Sequence, residues 1–360
     1  MAQHPFTRRG FLRRSAIGAA LVSTGGALPK QAAADRAPPP AGRPMKVGLY
    51  SITFLGVWYR GPALPLEEVV KKAKEYGYDG VEIDGKRPHG NPLDWPKQRC
   101  QELRAMADGE GTPIYAVAAN NDFSSPIAEH REAQIAYVRD LIRMAADLGA
   151  KTVRMFLGWS GVTKHPQRGA GLSQPGSVGR YDIARRLWAA THEPFSEQET
   201  WAWCREGMIE AAKYAEEHGV TLALQNHAPV IKDHKDVLRM VREVNSPRLK
   251  VCLDPAIMPD RRPEIIRQAA REVGPLQVLS HFGGEYQESA EGTIRGADFN
   301  RVFVEAMREI GYSGYIGYEL CHPLPMIDGQ TVGLEYAEQN ARLACRYMRG
   351  LIRQSHAPGR

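Results

Sequence analysis

The chain has 360 residues, with 47 Lys and Arg against 41 Asp and Glu, a formal net charge of +6. That excess is local: residues 1–34 hold Arg8, Arg9, Arg13, Arg14 and Lys30 and no acid, so the remainder carries only +1. The basic pI therefore gives little support to a nucleic-acid partner. Five cysteines (Cys100, Cys204, Cys252, Cys321 and Cys345), odd in number and without C-x-x-C spacing, argue against a disulfide framework or a zinc knuckle.

In chain order, residues 1–34 read as a twin-arginine export signal. Thr7-Arg8-Arg9-Gly10-Phe11-Leu12-Arg13 precedes a small-residue apolar stretch from Ser15 to Leu28, and Ala32-Ala33-Ala34 supplies a cleavage site. The stretch is too short and too rich in Gly and Ala for a stable membrane anchor. Export predicts a periplasmic or extracellular protein, delivered folded and with its cofactor loaded. Residues 35–44 form a Pro-rich linker, residues 45–352 one domain, and residues 353–360 a tail.

Eight short apolar runs then read as strands buried on both faces: Lys46–Ser51, Gly80–Asp84, Pro113–Ala119, Thr152–Leu157, Thr221–Asn226, Lys250–Asp254, Gln277–His281 and Tyr315–Leu320. Amphipathic helices between them include Leu66–Tyr76, Ala128–Leu148, Glu197–His218, Val237–Val244 and Arg301–Ile310. Gly77, Gly149, Gly219 and Gly311 each follow a last helical turn, where glycine takes the left-handed conformation that ends a helix. This βα repeat predicts an α/β fold, a (β/α)8 TIM barrel in a single domain. No G-x-G-x-x-G follows an early strand, as a doubly wound nucleotide-binding sheet would require.

Four successive strands end in metal-ligand types: Gln225, Asp254, His281 and Glu319. Barrels assemble sites from strand C-termini, and two carboxylates, an imidazole and an amide oxygen suit an octahedral divalent ion. Mn²⁺ is expected, with Mg²⁺, Co²⁺ or Zn²⁺ open; unrelated residues at the barrel mouth are the competing reading. At the same end lie Glu82 and Asp84, then Lys86, Arg87 and His89 on a polar turn suited to hydroxyls, carboxylate or phosphate. About 40 irregular residues, Gly158 to Ser196, follow the fourth strand and carry Trp159, His165, Arg180, Arg185, Arg186, Trp188 and His192. Aromatic and cationic groups suit sugar faces and hydroxyls, so the segment reads as a substrate lid or as a surface excursion.

From about Met45 to Leu351 the chain resembles the sugar phosphate isomerase/epimerase superfamily, the xylose isomerase-like barrels. The resemblance is carried by Leu66-Glu67-Glu68-Val69-Val70 through Gly77-Tyr78-Asp79-Gly80-Val81-Glu82-Ile83 and by the ends of strands five to eight. It implies Mn²⁺ or a related ion held by Glu, Asp, His and Glu, matched here at Asp254, His281 and Glu319. The strand-five position is Gln225, and an amide cannot act as a general base near neutral pH. A two-glutamate epimerase is therefore not expected. Ile257 stands where family epimerases often carry a histidine three residues after the strand-six aspartate.

The expected chemistry is proton abstraction beside a sugar carbonyl through a metal-stabilised enediolate. Glu319 would serve as ligand and base, with His227 or Glu285 as the second proton carrier. Substrate contacts are expected from Glu82, Lys86, Arg87, His89, Trp159 and Trp188. Export points to a free sugar or a glycoside, and the alternative is a lyase or hydrolase of 3-keto-glycosides supplied by a sugar oxidoreductase. A non-catalytic sugar- or metal-binding barrel is the second alternative, and a homo-oligomer fits the resemblance. Endonuclease IV-like barrels share the fold but need more ligands and a basic DNA face.

Overall fold

The computed structural model describes residues 43–164 and 179–356; the expected signal, most of the linker and His165 lie outside them. Eight parallel strands close into a barrel: β1 Lys46–Tyr50, β2 Gly80–Asp84, β3 Ile114–Ala118, β4 Thr152–Met155, β5 Thr221–Gln225, β6 Leu249–Cys252, β7 Gln277–Gly283 and β8 Tyr315–Glu319. Each strand pairs with its chain neighbours, and β8 returns to β1 with Lys46 opposite Tyr315. The expected (β/α)8 architecture is the observed one.

Helices surround the strands: α1 Leu66–Tyr76, α2 Lys97–Gly109, α3 Ala128–Asp147, α4 Tyr181–His192, α5 Glu197–His218, α6 His234–Val244, α7 Pro263–Val273, α8 Phe299–Glu309 and α9 Leu334–His356. In α1 the buried Leu66, Val69, Val70, Ala73 and Tyr76 recur at helical spacing, and Gly77 ends the helix at φ +83°. The start of α6 lies three residues before the expected Val237, because the Asp233 carboxylate accepts from the Lys235 and Asp236 amides. The final helix runs four residues past the expected domain end at 352.

One expectation changes in kind. The segment after β4 is not irregular throughout, since it contains the 12-residue α4. Helix α5 then starts on a capping box in which the Ser196 and Glu199 side chains bond reciprocally to each other's backbone amides.

The barrel interior is layered. Tyr115 lies at its centre, stacked on Tyr315 with ring centroids 3.9 Å apart. A Cβ on Gly48 would fall 2.3 Å from the Tyr115 hydroxyl, and one on Gly317 would fall 2.7 Å from it. Side chains two apart on a strand share a face. Tyr50, Glu82, Gln225, Asp254, His281 and Glu319 lie two residues beyond Gly48, Gly80, Ala223, Cys252, Leu279 and Gly317. A polar layer thus sits above a glycine- and alanine-rich one, at the strand C-termini.

Candidate active site

The polar layer is organised by a residue that the sequence reading passed over. Arg154, in β4, is 3% exposed and lies against the rings of Tyr50 and Phe156, its guanidinium carbon 4.7 and 5.1 Å from their centroids. Its Nε donates to Glu82 Oε1 at 2.9 Å, and Nη1 donates to Gln225 Oε1 at 2.7 Å. The Gln225 amide passes the network on, donating from Nε2 to Asp254 Oδ2 at 3.0 Å. The donor-only guanidinium fixes which way this amide points.

Glu82, fully buried, also accepts from His281 Nε2 at 2.7 Å. Burial works to raise its carboxyl, but His281 and Arg154 outweigh that and hold it below the usual carboxylate range. Burial likewise opposes the charge of Arg154, and Tyr50, Glu82 and Glu319 more than offset it. Burial and the nearby Glu319 push the Asp254 carboxyl up to about 7. A buried ion pair of this kind is costly unless fully hydrogen-bonded, and here each partner has further bonds.

Above this layer opens a cavity of about 440 Å³, lined by Lys86, Arg154, Trp159, Gln225, His227 and Glu319 among others. Glu319, at the end of β8, forms no ion pair among the described residues and accepts from the Cys321 thiol. His227 stands edge-on to Phe156 and Trp159, with centroids 4.9 and 5.1 Å away, and its Nδ1 faces the Ala228 carbonyl. That carbonyl makes Nδ1 the donor and leaves Nε2 a lone pair. Burial lowers the His227 pKa to about 4. The Lys86 amine reaches Asp84 at 3.3 Å and Asn120 at 3.2 Å. Helix α4 covers one side, placing Tyr181 and Arg185 on the cavity wall and tying the Tyr181 hydroxyl to the Cys321 carbonyl at 2.8 Å.

Several expected contacts lie elsewhere. Glu82 sits beneath the cavity as a support for Arg154 and His281. His89 is buried behind β2, held by Ser51 Oγ at 3.0 Å and the Leu64 carbonyl at 2.9 Å. Arg87 is spent on Asp94 at 2.6 Å, on the surface. Trp188 is seven residues along α4 from Tyr181, about 10 Å at the helical rise, and bonds Ser124 while stacking on His192. Glu285 is turned to Tyr336 and to His322, the latter at 3.2 Å, outside the cavity lining.

The residues expected to hold a divalent ion do not fit one in this arrangement. The Gln225 oxygen is taken by Arg154, and Gln225 Nε2 occupies Asp254. Both His281 nitrogens have partners, Glu82 on Nε2 and the Cys252 sulfur 3.6 Å from Nδ1. Among the described residues, no group of three His, Cys, Asp or Glu side chains is disposed to hold a metal.

Fold and site define a (β/α)8 barrel with a polar cavity at its strand ends. A model of the xylose isomerase-like TIM barrel family matches residues 70–350, and the chain belongs to that family. It is 25% identical to fructoselysine 3-epimerase of Escherichia coli O157:H7 over 268 residues, covering 71% of this chain and 86% of the relative. It superposes on D-psicose 3-epimerase solved in the presence of D-fructose with a TM-score of 0.61 at 18% identity, covering 86% of this chain and 99% of that one. The 3-keto-D-glucoside 4-epimerase of E. coli matches with a TM-score of 0.59 at 20% identity, covering 85% and 99%. These two likenesses carry the fold.

Proposed function

We propose that the protein is an isomerase- or epimerase-like enzyme that enolises a carbonyl-bearing sugar in the strand-end cavity, with Glu319 as the base. The observation that carries this reading is the position of Glu319: a carboxylate at the end of β8, on the cavity wall, with no ion pair among the described residues. A carboxylate so placed can take the proton next to a carbonyl and give it back. The family, and relatives named as epimerases of sugars and of a keto-glucoside, support the substrate class.

Gln225 decides the outcome of the step. A single carboxylate can move a proton between adjacent carbons on one face of an enediolate, which is isomerisation, or set up loss of a β-substituent. Inversion needs a second proton carrier. His227 is the group for it, three strands from β8 and on the cavity wall. Trp159, Tyr181 and Phe156 supply stacking faces for a sugar ring, and Lys86 supplies donors for its hydroxyls. Elimination from a 3-keto-glycoside, produced upstream by a sugar oxidoreductase, is the second reading and is favoured by the lack of a second carboxylate at 225. The metal expected from the strand-end quartet has no step in either reading, because Arg154 holds the Gln225 oxygen.

Export by the twin-arginine route, argued from Arg8, Arg9 and the apolar stretch behind them, belongs to the same proposal and places the reaction outside the cytoplasm. The test is product analysis with ketoses, aldoses and 3-keto-glycosides. A new sugar isomer or epimer is expected, and release of the aglycone would select elimination. Glu319→Gln is expected to cut turnover by about 10²–10⁴-fold with the fold intact. Unchanged turnover in that variant would remove Glu319 from the reaction.

A further inference from the structure

We infer that Arg154 takes the place of a divalent metal in this barrel: its guanidinium is the fixed cation that holds the sugar's carbonyl oxygen and stabilises the enediolate. The inference rests on the enolisation reading of the cavity. Three observations converge on it.

The first is position. Arg154 is buried beside the would-be ligand set, bonded to one member, Gln225, and through Glu82 to another, His281. The second is the identity of residue 225. A glutamate there would set a like charge against Asp254 at the 3.0 Å now spanned by the amide hydrogen bond, which a shared proton or an intervening cation would have to relieve. An amide instead accepts from Arg154 and donates to Asp254, so Gln225 and Arg154 work as one device. The third is spare donor capacity. Nε and Nη1 are committed, whereas Nη2 has no hydrogen-bond partner among the described residues, and Arg154 lines the cavity.

The step balances without an oxidant or a metal. As Glu319 takes the α-proton, the C–H electron pair becomes the C–C double bond and the carbonyl π pair moves onto oxygen. The guanidinium's hydrogen bonds to that oxygen strengthen as its charge grows. Return of the proton to carbon restores the carbonyl. The Tyr50 and Phe156 rings beside the guanidinium and the Glu82 bond fix it before substrate arrives, so little reorganisation is needed.

The test uses chelator-dialysed full-length protein titrated with Mn²⁺, followed by calorimetry and by thermal unfolding. No stoichiometric uptake and no rise in the unfolding midpoint are expected, and α-proton exchange with a reactive sugar should be as fast after chelation as before. One Mn²⁺ bound per chain, or exchange lost on chelation and restored by Mn²⁺, would overturn the inference. Should no sugar exchange at all, the enolisation reading and the carbonyl-holding role fail with it, while Mn²⁺ uptake still decides whether Arg154 stands in place of a divalent metal. Arg154→Lys keeps the charge but not the fork and is expected to lower kcat about 10²–10³-fold with a small change in KM. Arg154→Ala combined with Gln225→Glu is expected to gain Mn²⁺ binding and a higher unfolding midpoint with the ion. A folded double variant that takes up no Mn²⁺ would contradict the exchange of one cation for the other.

Discussion

Glu82 carries the Arg154 guanidinium at 2.9 Å and the His281 imidazole at 2.7 Å at the bottom of the site, with no exposure to solvent. Removing one partner of such a pair leaves buried charge uncompensated, so Glu82→Ala should cost about 3–5 kcal/mol of stability, read from denaturant unfolding. His89 makes a pH-dependent contribution. Its Nε2 donates to the Leu64 carbonyl and its Nδ1 accepts from Ser51, a neutral tautomer, and burial pushes its pKa down to about 4. The unfolded chain, with a histidine pKa near 6.5, binds the proton more readily between those values. Stability from this residue is therefore present above pH 6.5 and lost as pH falls toward 4, by up to about 3 kcal/mol. His89→Gln should flatten that part of the unfolding profile.

Residues of the site differ in how legible they are. Glu319, His227, Trp159 and Lys86 could be placed at the mouth because strand ends and period-two alternation locate them, and the structure puts all four on the cavity wall. Alternation also puts Glu82 inside the barrel, but it carries no information on depth, so a buried support reads like a substrate contact. Arg154 left one signal, a lone charge in the otherwise apolar run Val153-Arg154-Met155-Phe156-Leu157 of a strand buried on both faces. A buried charge calls for a partner, and that rule would have found it.

At the scale of elements, strands and helix ends were readable because glycine punctuation and apolar runs act locally. The helix hidden after β4 was not: Trp159 and the arginines drew the segment toward a loop reading, although Tyr181, Arg185, Trp188 and His192 recur at helical spacing. Close packing inside the barrel sets a sharper constraint. Tyr115 cannot swing away from a new methyl at Gly48, because it is stacked on Tyr315. Gly48→Ala should destabilise by about 1–3 kcal/mol. A lowered thermal midpoint checks it, and an unchanged one would show that Tyr115 is free to shift.

For the whole molecule, five of the six excess positive charges lie in residues 1–34, the segment proposed as an export signal, and the remainder is left at +1. Replacing Arg8 and Arg9 together by Lys should leave the protein in the cytoplasmic fraction of expressing cells. Fractionation like that of the unaltered chain would remove the twin-arginine assignment. The proposed function turns on one reactive event at the strand ends, the transfer of a carbon-bound proton to Glu319. Proton NMR of keto-sugars and 3-keto-glycosides incubated with the protein in D₂O observes that event directly. Deuterium is expected at the carbon beside the carbonyl, at a rate that collapses in Glu319→Gln. Conversion or binding of these sugars without any exchange from solvent, in wild type and variant alike, would contradict it.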